Sequence, residues 1–470
     1  MQRPDKEKIN LVKESLNLTL GEGRVIDRKD VLEKYSTDKT PDTAFMPDLF
    51  VAVETTEEAA AVLRICNKAH FPVTPRGAGN GVTGGAIAAL GGLVLSMEKM
   101  DRILEIDTLN MVAVVEPGVI TENIRRAALK EGLMYPPDPA SFDSSSIGGN
   151  VSENAGGMSA VKYGVTKDYV LGIECLLPDG STIKTGGKTV KNVTGYNLTG
   201  IIIGSEGTLA VITKLYLRLI PAPETFVDAL ISFEDIGAAI DGVYTILKNR
   251  IIPTTLEFME ADAISLVSRY LKEEMPFPKA GAHLLVRLDG SSKEALYGNI
   301  ERISKALALS AGRIITAKTE EESEKLWVAR RSIRKAIEAT SPVFLAEDCS
   351  VPRSKIPDFL KSLKKDLQEE GLNSVMFGHA GDGNVHIDIL KGSISYNEWK
   401  AILPDLKRRI YKQALDLGGT VSGEHGIGYL RKNYIPMAMS QDEIELHRRL
   451  KLAFDPNGIL NPAKILPDEL

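Results

Sequence analysis

The sequence predicts a protein of mixed helix and strand divided into more than one domain. Three observations carry that reading. The chain has 470 residues, and at roughly 100–200 residues per domain about two to four are expected. Its first half is punctuated by glycine-rich loops between short strands. Past Pro221 and Pro223 glycine thins out and helices alternate with strands, so a boundary is placed at 225/226.

Taken in order, residues 4–32 read as helical and polar. Thr55 to His70 is a helix, with a cap and acidic first turn in Thr55-Thr56-Glu57-Glu58 and an apolar face of Ala59, Val62, Leu63 and Cys66. Phe71 to Pro75 follows as a strand. Gly79 to Gly84 then satisfies G-x-G-x-x-G, a pattern that opens the crossover helix of a dinucleotide-binding unit. Here only residues 86–92 precede the next strand, Leu93 to Ser96, too few for a crossover helix of ten residues or more. What remains is a run of glycines whose backbone N–H groups can cradle a pyrophosphate. Val112 to Gly118 is a strand and turn, and Thr121 to Gly132 a helix with a glycine stop. Residues 136–157, rich in Gly, Ser and Asn and without periodicity, read as a long irregular loop able to wrap a bound group. Tyr169 to Thr185 is a hairpin turning at Pro178-Asp179-Gly180, and Gly204 to Thr213 a glycine turn entering a strand.

In the second half, helices are expected near 236–249 and 292–310, with a strand at 283–288. The helix near 321–340 has an apolar face of Leu326, Trp327, Ile333 and Ile337. At about 100° per residue Arg330 falls in the middle of that face, Arg331 well off it and Arg334 near its edge. A cation inside an apolar stripe requires an anion to meet it. Residues 374–390 read as a hairpin around a Gly/Asp/Asn turn. His379 ends its first strand and His386 begins the second, so that their imidazoles can approach to about 5 Å. A Glu-His pair, Glu424-His425, lies in a second glycine run, Gly418 to Gly428. A helix near 441–454 and the dipeptide Asn461-Pro462 close the chain.

Composition narrows the partners. A net charge of −6 argues against nucleic acid. No apolar run approaches the roughly 18 residues of a membrane span, and the first residues lack the apolar core of a signal peptide, so a cytoplasmic protein is expected. Cys66, Cys175 and Cys349 are scattered and never at C-x-x-C spacing, which leaves no zinc ribbon or four-cysteine iron–sulfur cluster.

The Pro75 to Gly85 loop, the Ile147 to Gly157 segment, the Gly204 to Thr213 turn, His379 to His386, Glu424-His425-Gly426 and Asn461-Pro462 together resemble one family. It is that of the flavin-dependent 2-hydroxyacid dehydrogenases of the vanillyl-alcohol oxidase superfamily, which includes D-lactate dehydrogenases and the glycolate oxidase flavin subunit.

The resemblance implies an α+β fold. A PCMH-type FAD-binding domain of two α+β lobes would span 1–225. A cap domain with an antiparallel sheet covered by helices would span 226–417, and residues 418–470 would return to the FAD domain. By motif match Arg76, Gly77, Ala78, Gly79, Asn80 and Gly81 would hold the pyrophosphate. Pro137, Asp138, Ser144, Ser145, Gly148, Asn150 and Asn154 would wrap the flavin and ribityl chain. Glu206, Gly207 and Ile212 would meet the adenine end, and Asn461 the isoalloxazine. Some relatives attach the flavin through a histidine in the first loop. None occurs in Pro75 to Asn80, so the FAD is expected to be non-covalent. His379, His386 and Glu424 would bind a divalent metal (zinc, iron or manganese), Arg330 the substrate carboxylate, and His425 would act as base. The lysine that 2-hydroxyglutarate enzymes carry shortly before the Asp348 position is absent from Leu345-Ala346-Glu347, which favours a short monocarboxylate. The expected reaction is D-lactate oxidation, with glycolate as the alternative and a non-redox alkyl-dihydroxyacetonephosphate-synthase-like transferase as a third reading. The expected electron acceptor is an electron-transfer flavoprotein or an iron–sulfur subunit.

Overall fold

The computed structural model describes residues 2–468. The chain divides into two units. The first takes Met1–Gly157, Val165–Ala222 and Glu424–Leu470, and the second takes Met158–Gly164 and Pro223–Gly423.

The first unit begins with helix α1 (Lys6–Leu20), capped by Asp5, whose carboxylate accepts Lys8 N–H. Instead of continuing helical to 32, the chain stops at Gly21, where φ is 95°, and lays down β1 (Val25–Ile26). Strand β2 (Leu49–Ala52), helix α2 (Thr56–Lys68), β3 (Val73–Arg76) and β4 (Leu93–Ser96) follow. Thr55 caps α2 through Glu58 N–H. The sheet order is β1-β2-β4-β3, with β2 and β3 both parallel to β4. Residues 77–92 join β3 to β4 without a helix, as the glycine spacing predicts. Val12, Leu16, Leu63 and Leu95 form the core together with Ile459 and Leu460 from the far end of the chain.

A second lobe of this unit is an all-antiparallel sheet of β5 (Ile103–Asp107), β6 (Val112–Val115), β7 (Val170–Leu176), β8 (Thr182–Gly186) and β9 (Val211–Arg218), in the order β5-β6-β9-β7-β8. Helix α3 (Thr121–Lys130) lies beside them in sequence. Residues 136–157 are not irregular throughout: α4 (Ile147–Glu153) is helical. Two adjacent glycines, Gly148 and Gly149, mask its propensity. It forms because Ile147 and Val151, one turn apart, are both buried, and Asn154 ends it in a left-handed conformation at φ 55°.

The second unit is built on a seven-stranded antiparallel sheet. Its strands are β10 (Thr225–Phe233), β11 (Thr255–Glu260), β12 (Ala282–Gly290), β13 (Ile314–Thr316), β14 (Phe344–Ser350), β15 (Asn373–His379) and β16 (Asn384–Leu390), in the order β13-β10-β12-β11-β15-β16-β14. Helix α5 (Glu320–Thr340) is capped by Thr319 and opens on three glutamates, which suit its positive N-terminal dipole. Its Leu326, Trp327, Ile333 and Ile337 pack with Met259, Val375 and Phe377 of the sheet. Arg330 is 11% exposed and Arg331 48%, which is the helical phase the sequence predicts. No helix among the described residues is long and apolar enough to cross a membrane. All three cysteines are buried, and burial pushes the Cys175 thiol up to about 12.

Candidate functional site

Two groups of residues gather, one in each unit. In the first unit the loop after β3 meets the segment leading into α4. Ala78 N–H donates to Ser146 Oγ at 3.2 Å, and Asn80 Nδ2 donates to Ser144 Oγ at 3.0 Å. A methyl group on Gly77 would lie 2.0 Å from Ser146 Oγ, so a side chain there would displace the hydroxyl that accepts from Ala78 N–H. The Gly204 turn joins them: Gly204 N–H donates to Val151 O and Glu206 N–H to Ser152 O. Asn461 closes the ring, its Nδ2 donating to Gly85 O at 2.8 Å and to Glu206 O at 2.7 Å. Asn150, from α4, donates to Thr121 Oγ1. Pro137 O accepts from Arg125, and Asp138 O lies against Gly157. Ile212 is buried on β9, opposite Cys175.

Two charged side chains in this cradle are engaged by the chain itself. Arg76 is buried, its Nη1 donating to Thr37 O at 2.8 Å and Ala86 O at 3.2 Å while its guanidinium packs over Tyr35. It braces the glycine loop, and the loop's offer to a pyrophosphate is then its backbone N–H groups. Glu206 turns its carboxylate to the N–H groups of Ile427 and Gly428, at 2.8 and 2.7 Å. Burial, and then the charge of Glu206, holds the neighbouring Glu153 carboxyl well above its usual range. Ser145 Oγ and Asn461 Oδ1 are buried without a hydrogen-bond partner among the described residues. A polar cofactor would satisfy both, so the residues present fit FAD.

The second unit's group follows from strand register. Across β11, β15, β16 and β14, Glu257 pairs with His379, His379 with Asn384 and Asn384 with Ser350. Two residues along, Met259 pairs with Phe377, Phe377 with His386 and His386 with Asp348. A period of two puts all of these on one face. His379 and His386 are therefore diagonal neighbours, with ring centroids 5.1 Å apart. Their Nε2 atoms are 3.4 Å apart. Two nitrogens on one tetrahedral cation, each at about 2.0–2.1 Å, stand about 3.3 Å apart, so the pair fits a shared metal ion.

Helix α5 covers this face. Arg330 donates through Nε to Glu257 Oε2 at 2.7 Å, with its guanidinium over the Phe377 ring. Glu257 Oε1 meets His379 Nδ1 at 2.6 Å. One turn along, Arg334 pairs with Asp388 at 2.8 Å. Glu257 and Asp388 were not legible from motifs. Glu257 lies on a strand, β11, that the sequence did not declare, and the only available signal was a charged residue inside an apolar run. The boundary between the units falls at the Gly423–Glu424 peptide. On one side of it Gly423 N–H donates to Asp348 Oδ2. On the other, His425 O accepts the Thr83 hydroxyl at 3.2 Å.

Comparison with known proteins gives consistent matches. Residues 47–186 match the model of an FAD binding domain, and residues 222–465 that of the C-terminal domain of FAD linked oxidases. The chain is 41% identical over 432 residues to glycolate oxidase subunit GlcD of Bacillus subtilis, covering 92% of this chain and 91% of that one. It is 38% identical to a D-lactate dehydrogenase of Anaerostipes hadrus, covering 89% of each. Among solved structures, p-cresol methylhydroxylase superposes with a TM-score of 0.81 at 18% identity, covering 99% of both chains. The 4-ethylphenol oxidase of Gulosibacter chungangensis gives 0.79 at 20% identity, covering 99% of this chain and 98% of that one. These two establish the PCMH-type fold.

Proposed function

We propose, because this chain belongs to the FAD-linked oxidases, that it oxidises a small 2-hydroxy acid, D-lactate, to the 2-oxo acid. Relatives named D-lactate dehydrogenase and glycolate oxidase subunit, each matched along most of its length, support the substrate class. The observation that carries the chemistry is the His379–His386 pair, with facing Nε2 atoms 3.4 Å apart and the far nitrogen of His379 fixed by Glu257.

When bound, FAD supplies a hydride acceptor, and a divalent cation (zinc, iron or manganese) a Lewis acid that acidifies a hydroxyl. His379, His386 and Glu424 each offer one ligand atom and would hold that cation, leaving positions open for a 2-hydroxy acid. Arg330 would hold the substrate carboxylate. Its Nε is committed to Glu257, so the Nη1 edge is the one to offer. His425, neutral, would take the hydroxyl proton on an imidazole nitrogen. Gly77 to Gly81, Ser145 and Asn461 would hold the cofactor without a covalent link. Three scattered, buried cysteines cannot ligate a cluster, so electrons would leave to a partner, an electron-transfer flavoprotein or an iron–sulfur subunit, in the cytoplasm.

Anaerobic mixing with a panel of D- and L-2-hydroxy acids tests this. D-lactate should bleach the flavin absorbance, and acid precipitation should release the colour into the supernatant. No bleaching by any 2-hydroxy acid would overturn the reading. The 41% identity to a glycolate oxidase subunit favours glycolate as the second substrate, and faster bleaching by glycolate would move the assignment there.

A further inference from the structure

We propose that Glu257 is a positioning residue: one buried carboxylate that fixes both the metal-facing tautomer of His379 and the orientation of Arg330. This rests on the reading of His379 and His386 as metal ligands.

Glu257 sits at the centre of β11 and is fully buried. Its register partner is His379. Oε1 meets His379 Nδ1 at 2.6 Å, and Oε2 takes Arg330 Nε and Nη2, each at 2.7 Å. A carboxylate only accepts, so Nδ1 must carry the proton and Nε2 the lone pair. That lone pair is on the nitrogen that faces His386. A buried carboxylate behind a ligating imidazole fixes the ring's orientation and raises its basicity. The other oxygen does the same for the guanidinium, which would otherwise be a cation against Phe377 with no anion beside it. The anchor of the substrate carboxylate and a ligand of the metal are thus set by two oxygens of one residue. A change at Glu257 therefore reaches metal affinity and substrate KM together, although Glu257 itself touches neither metal nor substrate.

The test uses the full chain with FAD bound and metal removed, titrated with Co²⁺ and followed by its visible ligand-field bands. Wild type should bind one equivalent and His379→Ala none. Glu257→Gln keeps a hydrogen-bonding oxygen for Nδ1 but removes the charge. It should weaken Co²⁺ about 10- to 100-fold and raise KM for the 2-hydroxy acid, with FAD content unchanged. Glu257→Asp should recover part of both. If Glu257→Gln fails to fold, Glu257→Gln with Arg330→Met removes the stranded guanidinium and carries the same cobalt measurement. Wild-type affinity in the Gln variants would overturn the role of Glu257 while leaving the metal assignment intact. No cobalt binding by wild type would overturn both.

Discussion

The two units build their candidate sites from opposite halves of the polypeptide. In the first, glycine removes side chains so that backbone segments meet: Gly77 against Ser146, and the Gly204 turn against α4. Its charged side chains, Arg76 and Glu206, face inward and hold the loops in place. In the second, the candidate residues are side chains that the register of four neighbouring strands, β11, β15, β16 and β14, brings onto one face. A backbone site is intolerant of added atoms, whereas a side-chain site is intolerant of lost charge.

That difference can be broken most severely at Arg330. Arg330→Ala strands Glu257 in the core and should cost about 3–5 kcal/mol, the scale of a broken buried pair. Arg331→Ala, which removes an exposed pairing with Glu324, should stay within about 0.5 kcal/mol. Urea denaturation together with kcat/KM measures both. Equal effects would mean that side-chain charge is not what the second unit depends on.

The first unit should break by addition. Gly77→Ala forces a methyl group onto Ser146 Oγ and should cost about 1–3 kcal/mol, with weaker FAD binding and undiminished cobalt affinity. Fluorescence of released flavin reports the first of these. Cobalt binding lost in parallel with FAD would show that the two sites do not fail separately.

A smaller effect sharpens the comparison through pH. His283, on β12, is buried, and its Nε2 meets Pro276 O at 3.1 Å and Phe277 O at 3.2 Å. Its Nδ1 has no partner among the described residues. Burial holds its pKa below the ordinary value, so as pH falls the unfolded chain takes up this proton first. The stability it contributes is present above about pH 6.5 and is lost as pH drops through and below that value. The melting temperature of wild type should fall more steeply from pH 7.5 to 5.5 than that of His283→Leu, and identical slopes would contradict this.

Smallest is Ala463, in the first unit, held at φ 64°. Ala463→Gly should relieve the left-handed strain and raise stability by about 1 kcal/mol, read from the denaturation midpoint. A lower midpoint would show that the position needs its methyl group.

The same contrast explains what was legible. Glycine runs are local, so the first unit's loops and the helix-free link from β3 to β4 could be read from spacing, whereas the meeting of Asn80 with Ser144 could not. His379, His386 and the burial of Arg330 were legible because a hairpin and a helix each have a fixed period. Glu257 was not, because its partners, Arg330 and His379, are distant in sequence and meet it only through sheet register. Helix α4 was hidden by the composition that makes its segment useful, and the inward turns of Arg76 and Glu206 depend on carbonyl and N–H groups that no motif records.

The three-part construction of the first unit bears on how the protein is made. Val73 N–H donates to Ile459 O, and Asn461 N–H donates back to Val73 O, so the strand leading into the glycine loop is completed by residues translated after the second unit. While the ribosome is still adding the second unit, the apolar faces of β2, β3 and α2 wait for Ile459 and Leu460. The second unit, apart from residues 158–164, is one continuous stretch and can close as soon as it emerges. The nascent chain should therefore carry a finished C-terminal half behind an unfinished N-terminal one, which is the interval in which a chaperone, or free flavin, would have most to act on.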